Sequence, residues 1–137
     1  MSTLTLTDNA KTVGKLYEAF GRGDIPYIID HLSDDCTWIG AGKDYLPPGG
    51  AYKGKEAINF FIKLGEMEEF TAFNPDAIHN IGDNEVVAFG YMAANSKKTG
   101  KKISSEWVMH WKFNEEGKVT YFQDFFNTAA AYVAEQD

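Results

Sequence analysis

Apolar and polar positions in the first part of the chain alternate with a helical period. Val13, Leu16, Tyr17 and Phe20 fall at i, i+3, i+4 and i+7, the stripe of an amphipathic helix. Asp8 stands where such a helix needs an N-cap, and Gly21 and Gly23 stop it. Asp24 caps a short second helix, with Pro26 tolerated in its first turn and Ile28, Ile29 and Leu32 facing inward. Cys36 to Ile39 is a short strand. Residues 41 to 53 read as a loop, with Pro47-Pro48-Gly49-Gly50 at its centre and Tyr45 and Tyr52 on its flanks. A third helix is predicted from about Lys55 to Glu69, with Ile58, Phe61, Ile62 and Leu64 apolar.

After Phe70 the period changes from that of a helix to that of a strand. Strands are predicted at 71–81 with a bend near Asn74-Pro75, at 85–96, at 103–114 and at 118–127. A short helix over 128–134 follows. On the third long strand, Trp107, Met109, Trp111 and Phe113 share the face that must meet the helices. The strand from Glu85 is apolar on both faces, with Val87, Phe89 and Tyr91 on one and Val86, Ala88, Met92 and Ala94 on the other. A strand apolar on both faces is covered on both. Helices cover one side, and a second copy of the chain is the simplest cover for the other. Ala88, Gly90 and Ala94 are small and share a face, which leaves room for a cavity unless a helical Phe61 or Ile62 fills it.

The chain has 137 residues, with no internal repeat and no linker, and reads as one domain over 1–137. Aromatic residues make up 15%, more than a minimal core needs. The net charge of -7 argues against nucleic acid as a partner. The only basic cluster, Lys97, Lys98, Lys101 and Lys102, surrounds a predicted hairpin turn. No run of about 20 apolar residues is present to span a bilayer, and the first eight residues lack a leader pattern. A cytoplasmic protein is expected. The single cysteine, Cys36, excludes an internal disulfide. With no basic neighbour, it reads as a buried small hydrophobe. His31, His79 and His110 lack metal-ligand spacing, so no metal is expected. His110 falls on the outer face of the sheet by alternation.

Asp124 is the residue with unusual chemistry. It lies in Tyr121-Phe122-Gln123-Asp124-Phe125-Phe126 and shares its face with Phe122 and Phe126. A carboxylate among rings is hard to ionise without a partner, and such a group is a natural acid/base candidate. A structural aspartate bonded to an N–H or hydroxyl is the plainer alternative.

The order of elements, together with Tyr17-Glu-Ala-Phe-Gly-Arg-Gly-Asp24, Leu32-Ser-Asp-Asp-Cys-Thr-Trp38, Tyr52-Lys-Gly-Lys-Glu-Ala-Ile58 and Trp111-Lys-Phe-Asn-Glu-Glu-Gly-Lys-Val119, resembles the NTF2-like superfamily and its SnoaL-like and ketosteroid-isomerase-like members. The resemblance implies an α+β cone, in which three N-terminal helices pack on a strongly curved antiparallel sheet enclosing a pocket. It also implies a homodimer through the outer sheet face and a small apolar or aromatic ligand. Where ketosteroid isomerases carry their catalytic groups, this chain has Leu16, Met109 and Gly40. That mechanism is therefore not expected. The same correspondence turns Trp38, Phe61, Trp107, Trp111, Phe122, Asp124 and Phe126 toward the pocket. Met92 and Met109 are expected to join them, with Tyr45 and Tyr52 as further ligand contacts from the 41–53 loop, which reads either as a lid over the pocket mouth or as a plain surface loop. The expected function is cofactor-free isomerase, cyclase or hydrolase chemistry on a polyketide-, terpenoid- or steroid-like compound, with Asp124 as acid/base. The alternatives are a ligand-binding or sensing dimer with no chemistry, and a structural dimer whose pocket is filled by its own side chains.

Overall fold

The Asp8 carboxylate accepts the Lys11 N–H and opens α1 (Asn9–Gly21). Asp24 does the same for α2 (Ile25–Asp30) through the Tyr27 N–H. The computed structural model describes residues 8–137; the predicted lack of a leader in the first residues lies mostly outside that range. Val13, Leu16 and Tyr17 are buried, as the stripe requires. Leu32 is also buried but belongs to the next element, not to α2. It begins β1 (Leu32–Gly40), a strand longer than the four residues predicted.

The 41–53 segment is not loop throughout. Its last residues form β2 (Gly50–Lys53), which pairs antiparallel with β1. A 3-10 turn, Gly54–Ala57, leads into α3 (Ile58–Met67). The buried side of α3 differs from the predicted one. Phe60 and Met67 are buried, whereas Ile58 and Ile62 are exposed. The 3-10 turn rotates the following helix, so Phe60 rather than Ile62 meets the sheet. Glu69 lies not on α3 but in β3 (Glu68–Asn80).

β4 (Glu85–Ser96), β5 (Lys102–Phe113) and β6 (Val119–Phe126) follow, and α4 (Thr128–Ala134) closes the chain. The six strands form one curved, unclosed sheet in the order β2-β1-β6-β5-β4-β3. It is not wholly antiparallel: β1 runs parallel to β6. Two register shifts in β3, at Phe70/Ala72 and Pro75/Ala77, mark where the strand bends. The second falls at the predicted bend.

The small residues of β4 do not simply leave space. A Cβ on Gly90 would overlap the Trp107 ring and the Asn74 carbonyl. Trp107 fills the room that Gly90 vacates, and it stacks on Phe73 at 5.0 Å with an interplanar angle of 7°. Neither Phe61 nor Ile62 does so. The cavity forms between the helices and the inner face of the sheet, with lining residues from β1, β3, β4, β5 and β6.

Candidate functional site

The concave side of the sheet and the helices enclose a cavity of about 90 Å³. Its walls are mainly rings. Trp38 of β1 stacks on Phe122 of β6 at 3.9 Å, and Trp111 of β5 meets both edge-on. Phe60 and Phe61 of α3 close the side above Trp38. Of the residues predicted for the site, Asp124, Trp38, Phe61 and Trp111 lie on this wall. Met92, Met109, Phe122 and Phe126 do too.

Asp124 sits opposite Met109 in the β5–β6 ladder, between the Trp107–Phe126 and Trp111–Phe122 pairs. It is 8% exposed. One carboxylate oxygen accepts the Ala41 N–H at 2.7 Å. Burial among rings pushes its pKa up to about 6, against the opposing pull of the Ala41 amide and its own amide. No Lys, Arg or His side chain is among the described residues that line the cavity. The group is therefore half-protonated near pH 6 and mostly ionised at neutrality, with about a tenth still protonated, so it can both give and take a proton.

Tyr17 of α1 also lines the cavity and was not predicted there. Its hydroxyl accepts the Trp111 indole N–H at 3.1 Å and donates to the Met109 sulfur at 3.3 Å. Burial, with a smaller contribution from the Asp124 charge, raises the phenol pKa and keeps it neutral. It follows Leu16, so the missed signal was one residue of helical phase: both side chains reach the cavity. Trp38 brings a second donor, because its indole N–H is buried with no partner.

The model of the SnoaL-like domain matches residues 13–122. The chain belongs to this family. A protein of Aspergillus clavatus named patulin synthesis protein F is 31% identical over 121 residues, covering 80% of this chain. This chain spans 61% of that relative's length. An NTF2-like protein of unknown function from Burkholderia pseudomallei is 27% identical and covers 96% of this chain and 100% of its own, with a TM-score of 0.86. TerC, co-crystallized with polyporic acid, has the same fold at 22% identity, covering 96% of this chain and 100% of its own, with a TM-score of 0.82.

Three predicted site residues stand away from the cavity of this SnoaL-like domain. Trp107 is core, held between Phe73 and Tyr17. Tyr45 is exposed, and its hydroxyl pairs with the Thr128 hydroxyl at 2.6 Å. Tyr52 turns back and donates to the Pro48 carbonyl at 2.9 Å. The segment is anchored by buried Leu46 and by the β1–β2 pairing, so its tyrosines are not placed as a lid. Only Ala41 and Pro48 of this segment reach the cavity.

Glu68 is a second buried carboxyl on the wall, where only Asp124 was expected. It is 3% exposed, and burial, with repulsion from Glu135, raises its pKa to about 7. The sequence hid it because it falls in the change from α3 to β3, where neither helical nor strand alternation applies. Cys36 is buried off the cavity, and its thiol is pushed up to about 11 by burial, which suits an inert packing role. His31 is tied to the Tyr27 carbonyl at 2.8 Å and His110 to Glu85 at 3.1 Å. Among the described residues no three His, Cys, Asp or Glu side chains converge. None of the helices there is long and apolar enough to cross a membrane.

Proposed function

We propose that this SnoaL-like protein binds a small, largely apolar ring compound in the cavity and performs cofactor-free acid/base chemistry on it. The reaction class is isomerisation, cyclisation or hydrolysis, and the substrate class is polyketide-, terpenoid- or steroid-like. One observation carries the reading: a buried carboxyl with a raised pKa opens onto an apolar cavity whose lining, among the described residues, includes no Lys, Arg or His. A carboxylate in that setting takes a proton from an activated C–H and returns it elsewhere. The oxygen that gains charge needs a donor. The Tyr17 hydroxyl fits, because a thioether is a weak acceptor and the hydrogen given to Met109 is readily redirected. The unspent Trp38 indole N–H is the second donor. The part in patulin synthesis named for the Aspergillus relative, and the polyporic acid found with TerC, support a small cyclic ligand.

The ligand is sought by native mass spectrometry of the purified protein, followed by assay of the released compound. Asp124→Asn is expected to abolish turnover and to retain binding. Full turnover in that variant contradicts the chemistry. The alternative, a binding or sensing protein without chemistry, is favoured by Leu16, Met109 and Gly40 at the ketosteroid isomerase positions. It predicts a bound compound that leaves unchanged.

The same reading includes a homodimer. Phe89 and Tyr91 of β4 and Phe125 of β6 are exposed large apolar side chains on the outer sheet face. An uncovered apolar patch of this kind marks an interface. Light scattering is expected to give twice the chain mass, and Phe89→Glu to give the monomer. A wild-type monomer at micromolar concentration overturns this part.

A further inference from the structure

Glu68 is the first residue of β3, opposite Ser96 of β4. It lines the cavity at the β4–β5 hairpin end. Its Oε2 is buried and has no hydrogen-bond partner. The donors nearest in the chain are already used. The Thr99 hydroxyl donates to the Ala134 carbonyl at 2.6 Å, and the Lys101 ammonium to the Gln136 carbonyl at 2.7 Å. The Lys98 and Thr99 amides go to the Ser96 hydroxyl oxygen. The charged group that acts on Glu68 is Glu135, just beyond α4. Its Oε2 is also buried without a partner. Two carboxyl groups cannot satisfy each other unless a proton lies between them, and the pair with one proton still carries a negative charge. Buried acceptors are nearly always satisfied in native proteins. Among the described residues this buried acceptor on the cavity wall is paired with no donor, and a ligand can meet it.

We propose that Glu68 is a second polar contact for the ligand, accepting a hydrogen from an uncharged hydroxyl-bearing ring compound, and that Glu68 and Glu135 together exclude carboxylates and other anions. This rests on the cavity being a ligand site and specifies what enters it. The ligand is then two-ended: an acidic C–H or hydroxyl faces Asp124, rings lie against Trp38 and Phe61, and a neutral donor reaches Glu68. The raised pKa of Glu68 is consistent with an acid that lacks a cation of its own.

The test uses a matched pair of probes, 2-naphthol and 2-naphthoate, titrated calorimetrically into the full chain at neutral pH. The wild type is expected to bind the naphthol at least about tenfold more tightly than the naphthoate. Glu68→Gln, checked for native circular dichroism, is expected to reduce that ratio to about threefold or less. Glu135→Gln keeps Glu68 and removes the charge behind it, so its ratio should fall between the two. Equal binding of the two probes by the wild type overturns the proposal alone. So does a ratio unchanged in Glu68→Gln. If that variant does not fold, an unchanged ratio in Glu135→Gln overturns it instead. Failure of both probes to bind the wild type overturns the cavity reading, and this proposal with it.

Discussion

Asp124 and Glu68 are two buried carboxyls on one cavity wall, and the fold treats them differently. Asp124 lies within a regular strand and is met by a backbone amide from the turn after β1. Glu68 lies where a helix becomes a strand, and the charged group that acts on it is another carboxyl. Burial raises both, but among the described residues Asp124 has a backbone donor and Glu68 Oε2 has none. A carboxylate that is desolvated and partly satisfied suits proton transfer, because each protonation state has some support. A desolvated, unsatisfied one suits recognition or a shared proton. Position in the secondary structure thus separates the surroundings of two chemically similar groups.

The largest expected effect is at Glu68. Its folded pKa of about 7 exceeds the ordinary 4.5, so the folded state holds more protons between those values. Stability from this group is fully present below about pH 4.5 and falls as pH rises through about 7. The loss is of the order of 3 kcal/mol. Glu68→Gln should abolish that fall and leave the variant more stable than wild type above pH 7, by urea denaturation across the pH range. Parallel curves for variant and wild type would put the two carboxyls on the same footing.

Asp124→Asn should act in the same direction but less strongly. Its window runs from about pH 3.8 to about 6. The Asn side chain keeps an acceptor for the Ala41 N–H, so the fold is retained and about 3 kcal/mol of pH-dependent loss disappears. Tyr17→Phe removes the acceptor of the Trp111 indole N–H and leaves a buried donor unmet. A loss of about 1 to 2 kcal/mol is expected, measured by thermal melts at fixed pH. Glu135→Gln should have the smallest effect. Repulsion from Glu135 comes after burial among the causes of the Glu68 shift, so the Glu68 titration should move down modestly and stability change by about 1 kcal/mol or less. A Glu68 titration that does not move would dissolve the pairing.

Strand alternation made much of the cavity legible. Trp111, Phe122, Asp124 and Phe126 share the inner face because a strand's side chains repeat every two residues, and the β5–β6 register brings them together. What failed did so where local pattern does not decide. The 3-10 turn before α3 rotated the helix and exchanged Ile62 for Phe60. Tyr17 was read as part of a core stripe, which it is, while its hydroxyl reaches the cavity. The glycines of the 41–53 loop suggest a lid that brings Tyr45 and Tyr52 over the ligand. The loop's own hydrogen bonds and buried Leu46 turn them elsewhere. Trp107 lay on the right face, but the absent side chain of Gly90 drew it into the core.

In the proposed function Asp124 is an acid/base group tuned by an apolar cavity. Carbon-13 NMR of the side-chain carboxyl, followed through a pH titration of the folded protein and assigned by its loss in Asp124→Asn, tests it most directly. The midpoint is expected near pH 6. A midpoint at or below the ordinary aspartate value of about 3.9 would contradict the claim and leave Asp124 a structural group in a cavity that only binds.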